Sequence, residues 1–187
     1  MARAEDVLLG RRRHSRRPSR IAIAATAGIG LAALAWSTLA TPSLQLIYNV
    51  SDSVPIGWYR IRPAHDWHVG SIVLAKVPAA FRRLAAERSY LPIHVPILKR
   101  IGAVSPQHVC ILGRVVYIDF VPIATILEAD RLSRRMPAWA ACRRLTRDEL
   151  FLLSVDNPAS FDSRYFGPIQ ASTVIGRADR IWPQTGQ

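Results

Sequence analysis

Five histidines, two lysines and a set of serines are the residues of this 187-residue chain that could move protons or attack a carbonyl. A serine hydroxyl attacks usefully only when a base takes its proton. Histidine is the usual base, yet His14, His65, His68, His94 and His108 sit in no recognisable triad sequence. His65 and His68 alone are too sparse for a metal site, and surface or hydrogen-bonded histidines account for all five. A lysine serves instead if it is neutral at working pH, and burial achieves this by disfavouring the ammonium form. Arginine cannot, because it does not deprotonate in proteins. Of the 25 Lys and Arg residues only Lys76 and Lys99 are lysines, so the field of bases narrows to two. Lys99 follows Ile93, Val95, Ile97 and Leu98 and precedes Ile101, an apolar setting, whereas Lys76 belongs to an alternating stretch and is expected to be solvated. Ser53 is the matching nucleophile, just before Pro55 and Gly57, which stiffen and bend the chain. By itself this stretch reads equally well as an ordinary Ser/Asp turn, or as a glycosylation site at Asn49-Val50-Ser51.

The elements that must position these groups read as mainly β. The run over residues 71–77 ends at Pro78 and suits a strand. Residues 109–112 and 115–118 flank Gly113-Arg114 as a hairpin with a two-residue turn. Residues 150–155 form another strand, bounded by Asp156-Asn157-Pro158. Beyond the N-terminal segment, helical periodicity is confined to residues 79–88, where Phe81, Leu84 and Ala85 share a face. Thirteen prolines argue against long helices. A single β-rich domain over residues 41–187 follows, with its strand order open.

The formal charge of +12 points to nucleic acid or to an anionic membrane surface. Its distribution favours the membrane. Seven arginines lie within residues 1–20, against Glu5 and Asp6, and abut an uncharged run over residues 21–40. Twenty helical residues reach ~30 Å, the thickness of a bilayer's hydrocarbon core. This is expected to be one N-terminal transmembrane helix, with a cleaved signal sequence as the rival; signal h-regions are about 7–15 residues, which favours a retained anchor. The positive-inside rule keeps residues 1–20 cytoplasmic and places the rest in the periplasm of a bacterial inner membrane. Anionic lipid then satisfies the arginines, and no nucleic acid partner is expected. Cys110 and Cys142 have no zinc-knuckle spacing, so no metal is expected, and no cofactor. An even cysteine count outside the membrane favours a disulfide, with two buried free thiols as the alternative.

Three stretches occur in order: Ser51-Asp52-Ser53-Val54-Pro55-Ile56-Gly57, Leu98-Lys99-Arg100-Ile101, and Ser160-Phe161-Asp162-Ser163-Arg164-Tyr165-Phe166-Gly167. Together they resemble the signature boxes of the signal peptidase I family of serine–lysine proteases, most of all its conjugative-transfer (TraF-type) branch. The resemblance implies a signal-peptidase-like β domain with Ser53 as nucleophile and Lys99 as base. It implies that Ser51 helps hold the oxyanion and that Ser160 orients the lysine amine. Asp162 and Arg164 are implied to pair and fix a strand near the site, with Ser163 and Gly167 at packing and turn positions. The cysteine after the lysine box and the one in Pro137-Ala138-Trp139-Ala140-Ala141-Cys142-Arg143 also resemble that branch. The chain departs from general signal peptidases at Val54 and Pro55, at Pro106-Gln107 and at Asp156-Asn157.

The function implied is a membrane-anchored serine endopeptidase that cleaves leader or terminal peptides from exported precursors, above all a conjugative pilin precursor. Its partners would be that precursor, inner-membrane lipid, and conjugation or type IV secretion components. The alternatives are a housekeeping type I signal peptidase and a non-catalytic, membrane-tethered assembly factor.

Overall fold

A computed structural model describes residues 19–39 and 46–181. Most of the expected basic segment, residues 1–18, lies outside them, as do residues 40–45. The chain divides into two units between residues 43 and 44.

The first unit contains helix α1, Arg20–Leu39. Ser19 begins it: its hydroxyl accepts from Ala22 N at 3.2 Å, capping one orphan donor of the first turn, and its carbonyl accepts the helical bond from Ile23 N. Ile21, Ile29 and Trp36 are all largely exposed along it. Among the described residues no helix is long and apolar enough to cross a membrane. The expected span runs on to residue 40, outside them.

The second unit is built on antiparallel strands, as alternating apolar stretches broken by proline require. In chain order they are β1 (Leu46–Asn49), β2 (Gly57–Arg62), β3 (Ile72–Ala75), β4 (Ile97–Val104), β5 (His108–Leu112), β6 (Val115–Ile118), β7 (Val121–Thr125), β8 (Cys142–Arg144), β9 (Glu149–Leu153), β10 (Ile169–Gln170) and β11 (Val174–Arg180). A larger sheet runs β1-β2-β11-β3-β4-β9-β10 and a smaller one β7-β6-β5-β8. The expected β5–β6 hairpin forms, with Gly113 at φ 59° in its turn. Helix α2, Ala79–Glu87, occupies the expected helical stretch and buries Ala85.

Strand β4 crosses the middle of the larger sheet, and its residues serve three apolar clusters. Ile97 and Ile101 pack with Val73, Leu150, Leu152 and Phe166. Leu98 packs with Val54, Tyr59 and Leu74. Beyond an irregularity between Ile101 and Ala103, Ala103 joins Val109, Val116, Phe151 and Leu153. Period-two alternation puts Lys99 on the face of Ile97 and Ile101, opposite Val73 on β3. Cys110 and Cys142 are cross-strand partners on β5 and β8 and form a disulfide.

One expectation needs correction. The segment carrying Asp162 and Arg164 is no strand but one helical turn, α3, Ser163–Phe166. Asp162 stays extended and accepts a hydrogen bond from Arg164 N, the geometry of a helix N-cap. Gly167 ends the turn at φ 79°. A Cβ there would stand 2.6 Å from the Trp139 ring. Gly167→Ala is therefore expected to cost at least about 2 kcal/mol, from backbone strain plus overpacking. Denaturant unfolding checks this, and an unchanged midpoint contradicts it.

Candidate active site

Lys99 reaches the site because a buried central strand carries it there. Only 5% of it is exposed, and its Nζ is hydrogen-bonded to both Ser53 Oγ and Ser160 Oγ. The two hydroxyls lie 3.2 Å apart. Removal from water lowers the lysine from 10.5 to about 8; the nearby Asp162 carboxylate opposes this fall and the Arg164 guanidinium adds to it. Desolvation leads. At pH 7 about one-tenth of a group with that pKa is neutral. Lys76 is exposed, as expected.

Ser160 is placed by the terminal box. Asp162 and Arg164 are fully buried, and their side chains form a two-pronged ion pair: Arg164 Nε donates to Asp162 Oδ1 and Nη2 to Oδ2, each at 2.8 Å. Arg164 also donates to the carbonyls of Thr125, Ser154, Asn157 and Ser160. Asp162 Oδ2 accepts from Ser154 N. Ser163 Oγ accepts from Leu152 N at 2.9 Å, which fastens the same turn to β9. The charges are thus paired and their hydrogen-bonding capacity is used, the condition for burying an ion pair.

Ser53 sits in the turn between β1 and β2, and side chains shape that turn. Asn49, only 7% exposed, donates through Nδ2 to the carbonyls of Ser51, Val54 and Pro55, while its Oδ1 accepts from Ser51 N and Ser51 Oγ. Tyr59 OH donates to Pro55 O at 2.6 Å. Asn49 is therefore a structural clamp, with its amide buried and occupied, rather than an exposed glycosylation acceptor. Ser51 is exposed and its hydroxyl lies on Asn49, so oxyanion donation requires it to rotate away. Among the described residues no hydrogen bond engages the Ser53 backbone N–H.

Two contributors escape sequence reasoning. Asn49 carries a visible signal, standing two residues before Ser51, but that signal reads as a sequon. Ser154 carries none: it is a plain serine at the end of an apolar run. Yet it is 2% exposed and its hydroxyl donates to Ser53 O at 2.5 Å.

Ser53, Lys99 and Ser160 open into a cavity of about 890 Å³, also lined by Tyr48, Tyr90 and Leu132. Such a space is large enough for several residues of an extended peptide. His108, Cys110 and Cys142 bring their ligand atoms within 4.8 Å of one another. The two sulfurs are bonded to each other, so neither is a thiolate, and this cluster has no means of holding a metal.

The depressed lysine has a stability consequence with a definite sign. Between pH about 8 and 10.5 the unfolded chain binds more protons than the folded one, so this group makes stability rise with pH across that window. Below it, both states are protonated and the full cost of the buried ammonium remains. Lys99→Met keeps the apolar stem and is expected to stabilise the protein at pH 7 by about 1–3 kcal/mol. It should also flatten the rise towards pH 10.5. Urea unfolding of both proteins across this range checks the expectation, and parallel pH profiles would contradict it.

Comparison with known proteins gives the family. Residues 19–182 match the family described as signal peptidase, peptidase S26. A probable conjugal transfer protein TraF of Sinorhizobium fredii is 29% identical over 168 residues, spanning 82% of this chain and 87% of that protein. A conjugal transfer protein TraF of Agrobacterium fabrum is 31% identical over 147 residues, covering 72% and 80% respectively. A crystal structure of a signal peptidase I from Enterococcus faecalis matches with a TM-score of 0.38 at 16% identity, covering 60% of this chain and 97% of that one. By the family match across nearly its whole length, the chain belongs to the signal peptidase family, peptidase S26, and has conjugal transfer proteins among its relatives.

Proposed function

We propose that this protein is a membrane-anchored serine endopeptidase of a conjugation apparatus. It cleaves a terminal or leader peptide from an exported precursor, above all a pilin precursor, with Ser53 as nucleophile and Lys99 as base. One observation carries the reading: a lysine 5% exposed, its amine hydrogen-bonded to two serine hydroxyls at the wall of a peptide-sized cavity. A structural lysine has no need of such a place.

In the forward step, neutral Lys99 takes the Ser53 proton as Oγ attacks the scissile carbonyl, and the C–N bond breaks when Lys99 returns that proton to the departing amine. Water, deprotonated by Lys99, then attacks the acyl-Ser53 ester, and Lys99 returns that proton to Ser53 Oγ as the C–O bond breaks. Ser160 holds the amine so that its lone pair faces Ser53. The free Ser53 N–H, helped by Ser51 once it leaves Asn49, stabilises the tetrahedral oxyanion; one such donor contributes about 3–4 kcal/mol. The conjugal transfer relatives support the choice of this precursor class.

The anchor rests on α1. Its apolar side chains face outward on all sides, and such a helix needs cover from protein or lipid. The arginines before it orient the chain towards the periplasm, where the Cys110–Cys142 disulfide is at home. A reporter fused to the C-terminus is expected to work only as a periplasmic one. Activity of a cytoplasm-only reporter would overturn this topology.

Ser53→Ala and Lys99→Ala should each abolish cleavage of a co-expressed pilin precursor, and the double variant should be no worse, because the two groups act as a unit. Lys99→Arg should be equally inactive, since guanidinium keeps its proton. Ser160→Ala should lose about 10- to 100-fold through a misaligned base. The rate should rise with pH through about 8 and level off above it as Lys99 becomes neutral. Full processing by Ser53→Ala or Lys99→Arg, at wild-type protein abundance, excludes the mechanism.

A further inference from the structure

We infer that Ser154 is a positioning residue that locks the nucleophile's peptide group to the buried Asp162–Arg164 pair. This rests on Ser53 being the nucleophile, as proposed above. The turn over residues 51–56 makes no well-formed backbone–backbone hydrogen bond among the described residues. Its carbonyls are held by side chains instead. Asn49 and Tyr59 belong to the turn's own hairpin, and Arg180, which donates to Ile56 O at 2.9 Å, belongs to the neighbouring strand β11. None of these three comes from the segments that carry Lys99 and Ser160. Val54 packs against Leu74 and Leu98, but apolar contact sets depth, not the direction of a peptide dipole.

Ser154 supplies the missing direction. It follows the end of β9, 101 residues away in sequence, and donates through Oγ to Ser53 O at 2.5 Å. Its own backbone is held on both sides: Ser154 N donates to Asp162 Oδ2 at 3.0 Å, and Ser154 O accepts from Arg164 Nη2 at 3.3 Å. Arg164 Nη2 also donates to Ser160 O at 3.2 Å. The same ion pair therefore fixes the residue beside the base and, through Ser154, the residue that attacks. Fixing the Ser53 carbonyl limits rotation of the adjoining backbone. This sets where Ser53 Oγ and the Ser53 N–H point relative to Lys99. The Lys99 amine bonds to Ser53 and Ser160 and not to Ser154, so the effect falls on nucleophile alignment and not on the basicity of the amine.

The test is steady-state cleavage of the pilin precursor by the full-length protein in detergent. Ser154→Ala is expected to lower kcat by about 10- to 100-fold, the scale of a misplacement of roughly 1 Å. KM should stay within about twofold, and the pH midpoint should stay where Lys99 sets it. Ser154→Thr keeps the hydroxyl and should restore most of the rate. Wild-type kcat in folded Ser154→Ala overturns the inference, as does a displaced pH midpoint or a fall in rate matched by loss of the folded fraction on thermal melting. Ser53→Ala run alongside separates the two claims. If it cleaves fully, the serine–lysine reading fails; if it is inactive while Ser154→Ala is unimpaired, only the role of Ser154 fails.

Discussion

The Asp162–Arg164 ion pair is the constraint on which the site depends. Both side chains are essentially inaccessible to water, and an isolated charge so placed would be prohibitive. The pair survives because its charges face one another through two bonds and its remaining donors end on backbone carbonyls. Those carbonyls come from the end of β7, the end of β9 and the loop leading to Ser160, so one guanidinium gathers three stretches of chain. Losing one partner would leave a buried charge uncompensated, at a cost of about 3–5 kcal/mol. The same pairing matters electrically for Lys99. Burial is the largest influence on the lysine; the Asp162 carboxylate favours its charged form, and Arg164 offsets part of that influence.

Chemistry with a lysine base ties activity to the core more tightly than chemistry with histidine does. Histidine titrates near neutrality without help. Lysine must be taken out of water, and here that happens on an interior strand of the larger sheet, between Ile97 and Ile101 on β4. The protein therefore carries a buried group that opposes folding at neutral pH, a local conflict of the sort concentrated at functional sites. The hydroxyls of Ser53 and Ser160 satisfy the amine and soften that conflict.

The turn that carries Ser53, the proposed nucleophile, follows a different logic. It must present Ser53 to the cavity, so its backbone cannot be consumed by a strand ladder. Asn49 and Tyr59 replace ladder bonds with side-chain bonds, leaving the Ser53 N–H free while its carbonyl is occupied. A turn built in this way is held by several side chains yet leaves a donor free, as the proposed acyl transfer would require.

Much of this was legible in the chain itself. The β-rich character, the β5–β6 hairpin and helix α2 follow from period and turn chemistry, which act over a few neighbours. That Lys99 would be buried was legible in its apolar neighbourhood, and the family in three short boxes in order. Local pattern failed where distant contacts decide. The resemblance implied a strand around Asp162 and Arg164, where the structure has a helical turn capped by Asp162 and fastened to β9 through Ser163. Asn49 read as a sequon, although its amide is spent inside the fold. Ser154 was invisible, since nothing in a serine after an apolar run reveals a partner 101 residues away. Residue types and spacing determined which groups could react; only the tertiary structure decided that Ser53, Lys99 and Ser160 meet. Their meeting depends on strand order and a buried ion pair, and both are properties of contacts between segments remote along the chain.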